Sequence, residues 1–527
     1  DFRSQHHGIP GLQKERPEPT VTINSLDAEA RGIKSGDLVS IMTKRGKVTM
    51  CALVTDDIVQ GAIDANMGGG GPVGPEKWQN CNVNELTDLQ RYDPISGFPV
   101  YKTLLCEVVK VTEREKTLAV DSGEYSDTAG MIDTGSEPQH VEKRIYLDHN
   151  ATTPLDPEVR EIMVRFAENG HGNPSSIYTE GKDARLAVEA ARRSVAQLLN
   201  CTARRITFTG SGSEANNLAI KGVAFANWNS KNHIITTTIE HPSVIDTCQW
   251  LERHGFTVTY LAIDKTKKLN PEDLKSAITE KTCLVSVMMA NNETGSINPI
   301  VDLVRVAKER NVLFHSDCVQ AVGKIPIDVE TLGVDLLTMS GHKLYGPKGV
   351  GALYIRKGVV MEPLVSGGKQ ENGMRAGTEN VLGIVGLGKA AELAVQRIHE
   401  MDRIKRMRDK LAKGIHELMA DAKLNGNPEA LLPNTLNMTL PGIRGESVVL
   451  ALDQKGVSLS SGSACRAGSP KPSHALLAMG LSEEEAHCAL RFSLGLSNTM
   501  EEIDRTIDLL GEVIRDKKTM VRFIPCR

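Results

Sequence analysis

From Thr20 to about Val111, apolar and polar residues alternate with a period of two. The stretch "DLVSIMTKRGKVTMCALVT" (37–55) keeps that alternation on both sides of Arg45 and Gly46, which predicts a β-hairpin. "NMGGGGPVGPEK" (66–77) reads as a glycine–proline loop. Residues 113–142 are polar and aperiodic and read as a linker. After Arg144 the pattern changes. "LDPEVREIMVRFAEN" predicts a helix capped by Asp156, with Pro157 in its first turn. Val159, Ile162, Met163 and Phe166 then fall at i, i+3, i+4 and i+7 as its apolar stripe. Short apolar runs follow at "RITFTG", "HIITTTIE", "CLVSVMMA", "NVLFHSD", "DLLTMS" and "GALYIRK", with helical stretches between several of them. That alternation predicts an α/β domain with a mainly parallel sheet.

Ligands of such sheets collect at the carboxyl ends of the strands. Polar clusters lie at five of those ends: Ser211–Glu214, Glu240–His241, Asn291–Glu293, Asp317–Gln320 and Ser340–Lys343. The whole chain changes this picture little. Its 527 residues allow several domains, and 24% charged with 40% hydrophobic residues is the composition of a soluble protein. A formal net charge of −4 gives no electrostatic reason to expect nucleic acid or an anionic membrane as partner. No apolar run approaches the length of a membrane span and no signal peptide opens the chain, although it begins with Asp1 rather than Met. The ten cysteines include no CxxC pair, which favours reduced thiols in a cytoplasmic protein, most of them buried packing residues. Cys465 differs, because "SSGSACRAGSP" (460–470) offers it no apolar neighbours.

Lys343 follows an apolar run and a Ser-Gly-His turn, so its amine is expected at a strand mouth. A lysine there is either solvated or, in a partly desolvated pocket, able to form a Schiff base. Pyridoxal phosphate chemistry then asks for a carboxylate at the pyridinium nitrogen, donors for the phosphate and a flat partner for the ring. Asp317 can be that carboxylate or a helix cap. "TGSGSEANN" leads from a strand into a helix and can hold an anion at the helix start. His241 can stack on a ring or cap a turn.

"YLDHNATTPLDP", "NPSSIYTEGK", "FTGSGSEANNLAIKG", "EHPSV", "NNETGSINPI", "HSDCVQAVGK", "SGHKLYGPKGVGALY", "GGKQENGMRAGTEN" and "SSGSACRAGSPKPSH" occur in the order seen in NifS/IscS-type cysteine desulfurases. The chain resembles that family over residues 144–515. The resemblance implies a pyridoxal-phosphate enzyme of fold type I, a homodimer with a large cofactor domain and a small α+β C-terminal domain. It implies that Lys343 binds the cofactor covalently and shuttles the proton at the substrate Cα, that Asp317 pairs with the ring nitrogen, and that Gln320 bonds the ring hydroxyl. His241 is implied to stack on the ring, and Gly212, Ser213, Ser340 and His342 to hold the phosphate, with Thr378 contributed by the partner subunit. Asn292 is placed beside cofactor and substrate, and Arg491 on the substrate carboxylate. Cys465 is implied to take the sulfur of L-cysteine as a persulfide, leaving alanine, and to pass it to acceptor proteins for iron–sulfur clusters, tRNA thiolation or molybdenum-cofactor sulfuration. A rival on the same fold is a selenocysteine lyase or another fold-type I enzyme. A rival of another class is a non-catalytic scaffold for molybdoenzyme maturation.

The first hundred residues resemble the C-terminal dinucleotide-binding domain of molybdopterin oxidoreductases such as formate dehydrogenases, a β-barrel of double-psi type. That resemblance implies molybdopterin guanine dinucleotide as its ligand. The catalytic domains, metal ligand and iron–sulfur motif that accompany such a domain are not in the sequence, which favours a fused or remnant module without redox activity. The expected organisation is a barrel module over 1–112, a linker over 113–142, a cofactor domain over 143–395 and a small domain over 396–527.

Overall fold

The computed structural model describes residues 20–42, 47–56, 63–65, 107–110, 144–263, 268–461 and 472–516. The described residues fall into two compact units, one within 20–110 and one within 144–516. In the first, β1 (Thr20–Asn24), β2 (Leu38–Met42), β3 (Lys47–Thr55), β4 (Ile63–Ala65) and β5 (Glu107–Lys110) form one sheet in the order β4-β1-β3-β2-β5. The expected hairpin is present: β2 and β3 pair antiparallel, with Met42 opposite Lys47. Val39, Ile41, Met50 and Ala52 turn to the core at alternate positions, as a period of two requires. Among the described residues no strand pairing closes this sheet into a barrel.

The second unit is built on a seven-stranded sheet. Its strands are β7 (Ile206–Thr209), β8 (His233–Thr237), β9 (Thr257–Leu261), β10 (Thr282–Ser286), β11 (Leu313–Asp317), β12 (Leu336–Ser340) and β13 (Gly351–Ile355), in the order β7-β13-β12-β11-β10-β8-β9. Only β13 runs against its neighbours, so the sheet is mainly parallel, as the alternation of strands and helices predicts. Both faces are covered. Ile235, Val285 and Leu337 enter one apolar cluster, while the preceding residues Ile234, Leu284 and Leu336 enter another.

The helix Pro157–Asn169 begins where expected, with the Asp156 carboxylate accepting from the Glu158 amide at 2.9 Å. Its apolar stripe is shallower than the spacing predicts. Val159 is buried, Met163 and Phe166 are half-buried, and Ile162 is exposed. The helix lies on the outside of the unit, so periodicity marks its inner face without fixing the depth of burial.

A second core lies towards the C-terminus. Here β14 (Lys423–Leu424), β15 (Thr435–Thr439), β17 (Ser460–Ser461) and β18 (Ala489–Ser493) form an antiparallel sheet, packed with helices Met401–Leu418 and Met500–Arg515. The short strand β6 (Ile145–Tyr146) pairs with β16 (Val457–Ser458), so Ile145 and Leu147 join this core although 300 residues separate them from most of it. Among the described residues no helix is long and apolar enough to cross a membrane.

One buried ion pair fixes the stretch that precedes Thr378. Glu371 and Asn372 have φ of +47° and +57°, a conformation that side chains rarely adopt. The Glu371 carboxylate accepts from Arg192 Nη1 at 2.6 Å, from Arg192 Nη2 at 2.8 Å and from the Phe208 amide at 2.8 Å. Both side chains are buried, and Arg192 also donates to the Ile206 carbonyl. Glu371→Ala would remove the buried carboxylate and leave the guanidinium only the half-exposed Glu189, at 3.0 Å from Nε. Such a break costs about 3–5 kcal/mol, to be read from urea denaturation followed at Trp228 and Trp250. A loss below about 1 kcal/mol would show that the bridge does not hold this stretch.

Candidate active site

The carboxyl ends of β7, β8, β10, β11 and β12 open into one cavity of about 290 Å³. Its wall includes Gly212, Ser213, His241, Asn292, Asp317, Gln320, Ser340, His342, Lys343 and Arg491, ten of the twelve residues singled out above. Thr378 is exposed and lies outside this lining. Cys465 lies outside the described residues.

β12 ends at Ser340, and the turn Gly341–Lys343 brings the lysine to the cavity. Lys343 Nζ donates to the carbonyls of Asn150 and Ala151, both at 2.6 Å. Two backbone acceptors thus aim the amine. His342 Nδ1 lies 3.1 Å from Thr152 Oγ1. Burial, helped by the Lys343, Lys348 and Lys324 charges, pushes its imidazole down to about 4.

β11 ends at Asp317, whose Oδ1 accepts from the Val319 amide at 3.0 Å and whose Oδ2 accepts from Asn216 Nδ2 at 2.7 Å. Asn216 also donates to Ser243 Oγ at 2.9 Å, and Ser243 Oγ lies 2.8 Å from His241 Nδ1. The Ser243 amide donates to that same nitrogen at 3.1 Å, so the proton of a neutral His241 sits on Nε2. Burial lowers the His241 pKa, and the Asp317 charge opposes that shift. His241 is therefore both the cap of the helix Pro242–Glu252 and a wall of the cavity. Of the two readings left open in the sequence, the cap is the one seen here.

β7 leads through Ser211 into the helix Gly212–Asn227, and Ser211 Oγ accepts from the Glu214 amide. The amides of Gly212 and Ser213 are thus at a helix start, where backbone N–H groups and the helix dipole favour an anion. A Cβ on Gly212 would stand 2.9 Å from Val319 Cγ2 and 3.2 Å from Ser340 Cβ, so only glycine lets helix and β12 approach this closely.

Arg491 on β18 is 2% exposed on its side chain and reaches in from the C-terminal core. Its Nη2 donates to Asp148 Oδ1 at 2.6 Å and to Ser460 Oγ at 3.1 Å, and Nη1 donates to the Asn292 carbonyl at 3.1 Å. Arg491 Nε and Asn216 Oδ1 are buried without a partner among the described residues. With the helix start, the carboxylate, the amine and the flat imidazole, they match the donors and acceptors that a phosphorylated pyridine aldehyde and an amino-acid carboxylate demand. Pyridoxal phosphate fits these residues.

Several of these groups were not anticipated. The Asn150 and Ala151 carbonyls belong to "YLDHNATT", but backbone acceptors leave no mark on residue type. Asn216 was legible: it stands four residues after Gly212 and shares its helix face. Ser243 and Asp148 show only in three dimensions.

The profile of the family described as "Aminotransferase class-V" matches residues 145–506, and that of the "Molydopterin dinucleotide binding domain" matches residues 1–105. Cysteine desulfurase IscS of Dictyoglomus turgidum is 47% identical over 381 residues, which are 72% of this chain and 97% of that protein. The solved structure of a NifS-like protein superposes with a TM-score of 0.67 at 41% identity, covering 70% of this chain and 99% of the other. A structure described as SspA in complex with cysteine gives a TM-score of 0.59 at 37% identity, over 66% of this chain and 98% of the other.

Proposed function

The chain belongs to the class V aminotransferases and, within them, is a pyridoxal-phosphate-dependent cysteine desulfurase; from that premise we propose that Cys465 receives the sulfur of L-cysteine in the cavity at the strand ends. The observation that supports this reading most is the meeting of the Lys343 amine, the Asp317 carboxylate and the start of helix Gly212–Asn227 around one cavity.

When bound, pyridoxal phosphate supplies an electron sink for negative charge at the substrate Cα. In this reading the amides of Gly212 and Ser213, with Ser340 and His342, hold its phosphate. Asp317, steadied by Asn216 and the Val319 amide, presents its carboxylate to the ring nitrogen. Lys343 is the attachment point and afterwards takes the proton from the substrate Cα. Arg491 and Asn292 orient the substrate carboxylate, which shares the guanidinium with Asp148. The thiolate of Cys465 then attacks the substrate sulfur: the new S–S bond forms as the substrate Cβ–S bond breaks, and its electron pair stays with carbon, which becomes alanine after protonation. The persulfide left on Cys465 passes to an acceptor protein serving iron–sulfur clusters, tRNA thiolation or molybdenum-cofactor sulfuration.

Thr378 is exposed here, which supports the implied homodimer in which it completes the partner's phosphate site. A species of single-chain mass in sedimentation velocity would contradict that arrangement. For the first unit, likeness to a dinucleotide-binding domain supports an appended binding module that the sulfur chemistry does not require. Retention of a guanine dinucleotide pterin by the intact chain tests it; no retention above a control protein ends it. The activity itself is tested by adding L-cysteine to the purified yellow chain and measuring alanine. A chain that binds the cofactor but forms no alanine from L-cysteine falls back to the wider group of fold-type I enzymes.

A further inference from the structure

Lys324 stands four residues beyond Gln320, in the turns that follow β11, and is only 7% exposed. Its ammonium has no carboxylate partner among the described residues. Nζ donates to Gln320 Oε1 at 2.6 Å and to Asn150 Oδ1 at 3.2 Å. Burial, helped by the like charges of Lys343 and Arg491, holds the amine well below the ordinary lysine range. An amine buried among cations destabilises a fold. Stability therefore does not explain its presence.

Its contacts do suggest a purpose. A glutamine amide fits the same space in two orientations, with nitrogen and oxygen exchanged. At Gln320 both neighbours select one of them. Nε2 donates to the Asn150 carbonyl at 3.0 Å, while Oε1 receives the Lys324 amine. The flipped amide would set oxygen against the carbonyl and N–H groups against the amine. Nε2 carries a second hydrogen, and Gln320 lines the cavity. The adjoining Asn150 amide is fixed in the same way: Oδ1 receives Lys324 and Asn434, and Nδ2 donates to the Asn292 carbonyl and to Thr435 Oγ1.

We propose that Lys324 is a positioning residue, which clamps the Gln320 amide so that an Nε2–H faces the cavity as a donor to the ring-hydroxyl oxygen of pyridoxal phosphate. The inference rests on the reading of the cavity as the site of that cofactor. Lys324 acts through Gln320 and touches no reacting atom.

The test compares Lys324→Met, Gln320→Leu and the double variant. Methionine keeps the length and removes the amine, and exchanging a buried charge for an apolar side chain of similar size leaves a fold as stable or more so. The thermal midpoint of Lys324→Met should therefore equal or exceed that of the wild type. Its dissociation constant for pyridoxal phosphate should rise about tenfold, the scale of one lost hydrogen bond, with a shift of the visible band. Gln320→Leu should weaken binding similarly, and the double variant no further. A Lys324→Met chain that unfolds or melts earlier makes the residue structural and overturns the assignment. Unchanged affinity and band, or losses that multiply in the double variant, overturn it too. A wild-type chain that stays colourless with added cofactor removes the reading of the cavity itself, and this inference with it.

Discussion

Lys343→Ala lowers the release of sulfur from L-cysteine by at least ~10³-fold, the scale of losing a positioned proton-transfer group and attachment point together. The purified variant also loses the visible band of a lysine-bound cofactor. The structure gives the reason. Lys343 comes directly off the end of β12, and the carbonyls of Asn150 and Ala151 hold its Nζ at the cavity. Those carbonyls can only accept, so no neighbour replaces the amine. Lys324, which is buried, is directed at the Gln320 and Asn150 side chains. Lys343→Arg should not restore turnover, because a guanidinium stays protonated and cannot take a proton. Absorption spectra and an alanine assay read both effects. Turnover within tenfold of the wild type would show that another group carries the proton.

Cys465→Ala keeps the colour and the fold but loses persulfide formation, with turnover down by roughly two to four powers of ten. The two substitutions separate because their tasks do. Lys343 works at the substrate Cα, and Cys465 at the substrate sulfur. The described cysteines of the second unit are all pushed towards the neutral thiol by burial. Cys248 and Cys318 are buried in apolar surroundings that raise their pKa beyond the usual thiol range, and Cys201 is pushed up to about 12. If Cys465→Ala released sulfur from L-cysteine at the full rate, sulfur would leave directly, and the chain would act as a lyase rather than through a persulfide.

Much of this site was readable from residue order because strand ends are short and polar. Five clusters after five apolar runs converge on one cavity, and a mainly parallel sheet makes that convergence unavoidable. What escaped has physical causes. Strand β9 was not anticipated: it lies at the sheet edge, and four of its five residues are exposed or half-buried, so its apolar signal is weak. Backbone carbonyls such as those of Asn150 and Ala151 are invisible to side-chain chemistry. The left-handed turn at Glu371 appears in no pattern either, because a buried carboxylate–guanidinium pair holds a conformation that local preference opposes. Lys324, in "QAVGK", was not singled out in the sequence. Only its depth and partners give it a task.

The most direct measurement locates the sulfur after one turnover. The cofactor-loaded chain is mixed with L-[³⁵S]cysteine in amounts below that of active sites, quenched, alkylated and digested. The account predicts one labelled sulfur on the peptide bearing Cys465 for each alanine formed, and none on that peptide from Lys343→Ala. Alanine formed in full with all of its sulfur free in solution and Cys465 unmodified would contradict it.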